Sequence, residues 1–397
     1  MRIVRISTRI YPDYGGPAKQ AYLLSKFCSE HNIKVTNIAC TPKNIPYTQR
    51  EIINKNFDVI YLPFHAPGVN SSLVTLILFF IRFFVSTFKE LIKIIKKESV
   101  QLIHSHTPLP AGFIAFLFYK LFKVPYFYTI HGLDIPIPFL LKFDFNISVK
   151  NSKRTFTVSN VVKKLLSNKY QLSNVIQFPN GIETSNYFHA NSVFQKEEIL
   201  QNLGIARLIK KEDQIIAYIG YMFLPQKVHG MIDFLEGFSQ FYSKLKEPEK
   251  RKIKLLYIGD GEFSYLLENK IKELDLEQSV FFLGKRDDIR DILAVSDLLA
   301  LTSYKEGFPN VILEAMASKV PCLVSNAGDM ELIVSNTGYV VKVGNIHDIE
   351  MRLHDYFSLS DVMRNQLKNE AFNRVKSEFD IKIVSKKLIQ YYNLALN

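Results

Sequence analysis

Residues 298–317 read LLALTSYKEGFPNVILEAMA. Leu298 to Leu301 is a short continuous apolar run, as expected of a strand buried on both faces. Pro309 suits the first turn of a helix, so Glu306, Gly307 and Phe308 form the loop in which a strand ends and a helix begins. A strand feeding straight into a helix is the unit of a parallel sheet covered by helices. At the carboxyl edge of that strand the helix supplies backbone N–H groups and the positive end of its dipole, and ligands of such sheets bind there.

Outward from this segment the same alternation fills the chain. One strand series runs through residues 2–7, 34–39, 59–62, 102–104, 126–130 and 154–158, and a second through 214–219, 254–258, 280–283, 298–301, 321–324 and 338–341. With 397 residues the chain exceeds what one hydrophobic core supports, so two α/β domains are expected. The turn residues Pro179, Asn180 and Gly181, followed by a stretch without clear period, mark a boundary. The expected division is an N-terminal domain over 1–181, a linker over 182–212 and a C-terminal domain over 213–375. Residues 376–397 carry helical apolar spacing and are expected to pack back on the first domain.

Cys28, Cys40 and Cys322 are too few and too scattered for a disulfide framework or a structural zinc site, which suits a reducing, cytoplasmic setting. The amino terminus MRIVRIST passes directly into strand-like alternation, and no signal peptide is read. The net charge of +12 is uneven: residues 1–190 hold 23 Lys/Arg against 9 Asp/Glu, and the remainder holds 27 against 29. The basic half suggests an anionic membrane or a polyanionic ligand as partner. LVTLILFFIRFFV at 73–85 is too short to span a bilayer and is interrupted by Arg82. It reads either as an interfacial helix, with Phe79, Phe80, Phe83 and Phe84 inserting beside Lys89, Lys93, Lys96 and Lys97, or as a buried crossover helix.

Taken alone, Glu314 reads as a solvated helix residue and Glu306 as an N-terminal helix charge. Together, one carboxylate could accept sugar hydroxyls and the other both hydroxyls of a ribose. EGFPNVILEAMA, with seven residues between its glutamates, resembles the signature of the retaining glycosyltransferases of family 4, which have a GT-B fold of two facing Rossmann-like domains with a donor cleft between them. The resemblance implies that Glu306 contacts the donor sugar and that Glu314 binds the ribose. YPDYGGPAKQ resembles the family's glycine loop, in which Gly15 and Gly16 let the backbone approach the donor phosphates. YTIHGLD at 128–134 resembles its strand-end His-Gly, placing His131 near the anomeric centre, while His104 and His106 read as packing or acceptor-side residues. YIGYMFLPQKVHG puts Lys227 where the family's phosphate-binding lysine lies, with Tyr221 standing where an arginine is common. By the same resemblance Gly284, Lys285 and Arg286 lie beside the nucleobase, and Gly307, Phe308, Pro309 and Asn310 complete the donor loop. IGDGE at 258–262 is no dinucleotide fingerprint, since Ser264 occupies the third glycine position.

The resemblance thus implies transfer, with retention, of a hexosyl or N-acetylhexosaminyl unit from a nucleoside-diphosphate sugar, UDP-linked for preference. The acceptor is a glycan or lipid-linked glycan of bacterial surface-polysaccharide or lipopolysaccharide assembly. No cofactor or metal is expected, because cationic groups and helix dipoles take the metal's place and Asp287 and Asp288 are expected to cap a helix. Nucleic acid is not among the expected partners. Two rivals share the fold: a sugar-nucleotide epimerase and a non-catalytic partner subunit, the latter favoured by Tyr221.

Overall fold

The computed structural model describes residues 1–13, 15–68, 71–106, 110–131, 145–223 and 225–396. They divide into two compact units, one of residues 1–181 with 381–397 and the other of residues 182–380.

The first unit is built on an eight-stranded sheet. Its strands are β1 (Arg2–Ile6), β2 (Lys34–Cys40), β3 (Gln49–Asn54), β4 (Phe57–Leu62), β5 (Leu102–Ser105), β6 (Tyr126–Ile130), β7 (Arg154–Thr157) and β8 (Val175–Gln177). Their order is β3-β4-β2-β1-β5-β6-β7-β8, and every pairing is parallel except that of β3 with β4. β3 and β8 go beyond the strands expected from sequence. β3 is a largely exposed edge strand, QREIIN, and β8 has three residues, so neither carries the apolar run that betrays a buried strand.

Alternation along β1 assigns its residues to opposite faces. Ile3 joins Leu24, Phe27, Val35 and Phe57 on one face, and Val4 and Ile6 join Ile38, Ile60, Phe83 and Ile114 on the other. Helix α1 (Gly16–Ser29) covers the first face together with the helix Ile381–Leu396, which contributes Ile381, Val384, Leu388 and Tyr392 to that core. Gly181 and the start of this returning helix lie in close contact, since a β-carbon on Gly181 would meet Ile381 Cδ1 at 2.6 Å. The Gln20 side chain clamps Gly181 by donating to its carbonyl at 2.7 Å and accepting from its N–H at 2.9 Å.

Helices α2 (Leu73–Lys97) and α3 (Ala111–Phe122) cover the other face. α2 combines both readings of its sequence. Phe79, Phe83, Leu91 and Ile94 are buried, and Phe80 and Phe84 pack partly buried against the same core, so the phenylalanines are not the outward residues. The opposite face presents Leu73, Val74, Ile77, Leu78, Ile81 and Val85, each 43–66% exposed. No helix among the described residues is long and apolar enough to cross a membrane.

The second unit holds six parallel strands: β9 (Gln214–Ile219), β10 (Ile253–Ile258), β11 (Val280–Phe282), β12 (Leu298–Leu301), β13 (Cys322–Ser325) and β14 (Tyr339–Val341). Their order is β11-β10-β9-β12-β13-β14. Residues 182–212 are not a linker here. They carry the helix Val193–Asn202 and bury Leu200, Leu203, Ile205 and Ile209, while the Ala190 N–H donates to the Ala294 carbonyl at 2.9 Å. The unit also extends past 375. The helix Asp361–Glu378 belongs to it, and Ile182 pairs with Asp380 before the chain enters its last helix.

Candidate donor site

In the second sheet the chain leaves β9 toward β10 but leaves β12 toward β13, so the strand order reverses between the neighbours β9 and β12. Such a switch point opens a crevice at the carboxyl ends of the strands, where ligands of α/β sheets bind. Lys227 follows β9 in the first turn of the helix Pro225–Ser243, and Glu306 follows β12. Lys227 Nζ donates to Glu306 Oε1, joining the two residues across this point.

Close backbone contacts hold the pair. Gly230 lies one turn after Lys227, and a β-carbon on it would be 2.4 Å from the Thr302 carbonyl oxygen. Thr302 Oγ1 donates to the Gly230 carbonyl at 2.6 Å, so the helix is drawn against the end of β12. Behind the Glu306 loop, Gly328 (φ +60°) leaves room for the Glu306 carbonyl oxygen, which a β-carbon would meet at 2.3 Å. Asp329 N–H donates to the Gly307 carbonyl at 3.0 Å. Phe308 is buried and packs edge-on against Phe379, so its ring belongs to the core and any ligand contact it makes falls to its main chain.

Pro309 occupies the N-cap position with extended backbone, and the helix proper is Asn310–Ala317, a shift of one residue from the expected start. Its first turn contains no acidic residue, and its N-cap residue makes no side-chain capping hydrogen bond. Glu314 lies in the second turn, partly exposed. Tyr221, after β9, is exposed.

Of the residues expected near the nucleobase, Gly284 takes a left-handed φ of +65° and Lys285 is exposed. Arg286 is engaged within the protein: Nε donates to Asp288 Oδ1 at 2.8 Å and Nη2 to the Leu203 carbonyl at 2.9 Å. That pairing raises the Arg286 pKa and holds the Asp288 carboxyl below its usual range. Asp288 stands at the N-cap of the helix Ile289–Val295, yet its carboxylate goes to Arg286 instead of capping, because the bidentate partner outcompetes a single N–H. The glycines of IGDGE serve close packing, since β-carbons on Gly259 and Gly261 would meet Gly220 O at 1.9 Å and Met222 C at 2.2 Å.

In the first unit Gly15 has φ +107° and stands at the N-cap of α1, whose first turn likewise lacks acidic residues. His131 follows β6, its Nε2 has no partner among the described residues, and burial lowers its pKa to about 4, so the imidazole is neutral at physiological pH. Gly132, its expected partner in the His-Gly pair, lies outside the described residues. His106, after β5, is buried, and among the described residues neither of its ring nitrogens has a hydrogen-bond partner.

The sequence reading missed Gly230, Thr302 and Gly328. A glycine inside the expected helix after Lys227 was the available sign of a close contact.

Comparison with known proteins accounts for both units. A model of glycosyl transferases group 1 matches residues 201–374, and one of glycosyltransferase family 4 matches residues 14–186. The chain is 26% identical to the N-acetyl-alpha-D-glucosaminyl L-malate synthase of Bacillus anthracis, over 98% of this chain and 97% of that protein. It is 25% identical to the UDP-Gal:alpha-D-GlcNAc-diphosphoundecaprenol alpha-1,3-galactosyltransferase of Escherichia coli, over 77% and 79% of the two. Among solved structures, the glycosyltransferase from Rickettsia africae ESF-5 is similar with a TM-score of 0.77 at 18% identity, covering 100% of this chain and 98% of that one. Anabaena Alr3699/HepE in complex with UDP and glucose gives 0.71 at 18% identity, covering 99% of each. Two parallel-sheet α/β units, two adjoining family matches over most of the sequence and relatives of nearly the same length establish that this chain belongs to the GT-B glycosyltransferases of the group 1 and family 4 type.

Proposed function

We propose that the protein transfers a hexosyl or N-acetylhexosaminyl unit from a UDP-sugar, with retention, to a glycan or lipid-linked acceptor of bacterial surface-polysaccharide assembly. The observation that carries this reading is the Lys227–Glu306 pair at the switch point of the second sheet, with Glu314 on the helix that starts from the same loop. A donor diphosphate competes with Glu306 for the Lys227 ammonium. Its departure adds negative charge, which that ammonium and the start of Asn310–Ala317 stabilise. Glu306, released from Lys227, accepts hydroxyls of the sugar, while Glu314 accepts those of the ribose. Lys227 and the helix ends supply the charge that a metal would otherwise bring.

Gly15 and Gly16 are assigned to the phosphates and His131, as a neutral ring, to the sugar. Lys285, Gly284 and the main chain of 307–310 complete the donor set, and Tyr221 takes the place of a second cation. The printed names of relatives favour the substrates chosen: one uses UDP-Gal and a diphosphoundecaprenol acceptor, and one structural neighbour is a complex with UDP-glucose. The test is a screen of the purified protein against UDP- and GDP-sugars, reading nucleotide release with and without a lipid-linked glycan.

The acceptor's lipid also explains α2. Its open apolar face and the exposed Lys89, Lys93, Lys96 and Lys97 suit an anionic bilayer surface, with Ile77, Leu78, Ile81 and Val85 entering the interface in place of the buried phenylalanines.

A further inference from the structure

Arg5, in β1, is fully buried, and among the described residues no carboxylate pairs with it. Its Nη2 donates to the Tyr392 hydroxyl at 2.7 Å, and its Nε and Nη1 meet no acceptor. The Tyr392 oxygen is therefore an acceptor toward Arg5, which directs the phenolic proton to His104 Nδ1, 2.6 Å away. His104 then carries its proton on Nε2 and donates to Thr129 Oγ1 at 2.7 Å. Both nitrogens of this one imidazole are held, by the helix that returns from the end of the chain and by β6.

The His104 ring stacks on His106 at 4.4 Å between centroids and 30° between planes, and His106 faces His131 at 5.9 Å and 22°. Neither ring nitrogen of His106 has a hydrogen-bond partner among the described residues, so ring packing sets its plane. Thr129, on β6, and His131, just beyond its end, line one small cavity with His104, Gln20 and Asn180. Burial and the Arg5 charge keep His104 well below its ordinary pKa, and burial, His104 and Arg5 do the same for His106. The stack therefore consists of neutral rings, free of mutual repulsion.

We infer that Tyr392 is a positioning residue for His131, acting through a directed chain from Arg5 to Tyr392 to His104 and onward through the stacked His106 ring. The inference rests on the proposed role of His131 at the sugar. It gives the carboxyl-terminal helix a task beyond covering the sheet: its hydroxyl fixes the first ring of a ladder whose last ring meets the substrate.

The test uses the full chain with labelled histidines and compares Tyr392→Phe, Thr129→Val, Thr129→Ser and the Tyr392→Phe/Thr129→Val double variant. Readouts are the imidazole nitrogen shifts, UDP affinity, and kcat and KM for whichever UDP-sugar the donor screen returns. Tyr392→Phe should release His104 from a single tautomer, Thr129→Val should leave the His104 Nε2 proton without its acceptor, and both should move the His131 resonances. Each should lower kcat by about ten- to a hundredfold, with UDP affinity and KM within about twofold of wild type. Thr129→Ser should restore wild-type behaviour, and the double variant should fall no further than the worse single one, because both act through His104. Unmoved His131 resonances, or losses that multiply in the double variant, would overturn the inference. If Tyr392→Phe does not fold, Thr129→Val against Thr129→Ser decides the same question. Full turnover by His131→Ala would instead remove the functional reading, leaving the ring positioning to be judged by the resonances alone.

Discussion

Gly230 packs so closely on Thr302 that a β-carbon placed on it would sit 2.4 Å from the Thr302 carbonyl oxygen. Lys227 lies one turn earlier on the same helix and reaches Glu306 beyond β12, so this contact sets the reach of the ammonium.

Gly230→Ala must push the start of that helix away from β12. It should cost about 1–3 kcal/mol of stability and weaken UDP binding, as read by chemical denaturation and by titration calorimetry. Wild-type values in both would show that the contact does not set the site.

The two glutamates should separate by readout. Glu314→Ala removes a charged acceptor for ribose hydroxyls and should weaken UDP binding by about 1.5–3 kcal/mol. Glu306→Ala should lower turnover more than UDP affinity, since its contacts are to the sugar. Much weaker UDP binding by Glu306→Ala, with Glu314→Ala unaffected, would exchange the two roles.

Stability should fall as the solution is acidified from about pH 6.5 to about pH 4. His131 and His189 are pushed down from 6.5 to about 4, and His104 and His106 well below 6.5, in every case mainly by burial. Above 6.5 each is neutral in folded and unfolded chains alike; below it the unfolded chain takes up protons that the folded one refuses. The loss is about 1.4 kcal/mol per pH unit for each such residue. Urea midpoints at pH 7.5, 6.5 and 5.5 check this, and His131→Gln should flatten the slope. A slope that is absent, or unchanged by the substitution, contradicts it.

Vesicle co-sedimentation tests the open face of α2. Wild type should bind phosphatidylglycerol vesicles and not neutral ones, less so as salt rises. Changing Lys89, Lys93, Lys96 and Lys97 to Gln removes about 1 kcal/mol each. Ile77→Asn with Ile81→Asn should abolish the binding that persists at high salt. Equal binding to both lipids, or none, rejects membrane docking.

What the sequence shows of this protein is what lies close together in the chain. Leu298–Leu301 running into Glu306 and the helix with Glu314 is one strand-loop-helix unit, so its type and placement could be read directly. The Gly230–Thr302 contact and the Arg5–Tyr392 hydrogen bond join residues 72 and 387 positions apart, and nothing local announces them. α2 is apolar on two faces, so its period cannot say that Phe83 is inside and Ile81 outside; only the sheet decides. Residues 182–212 read as a linker because Leu200, Leu203, Ile205 and Ile209 fit no sustained period, although all four are buried.

The most direct test of the central claim follows nucleotide and sugar in one reaction. With a UDP-sugar from the donor screen and a lipid-linked glycan, wild type should release one UDP for each glycosyl unit gained by the acceptor, and Lys227→Met should slow both by about a hundred- to a thousandfold. The new linkage should keep the anomeric configuration of the donor. Isomerised sugar nucleotide with no gain in acceptor mass, or donor binding without UDP release, would contradict the account.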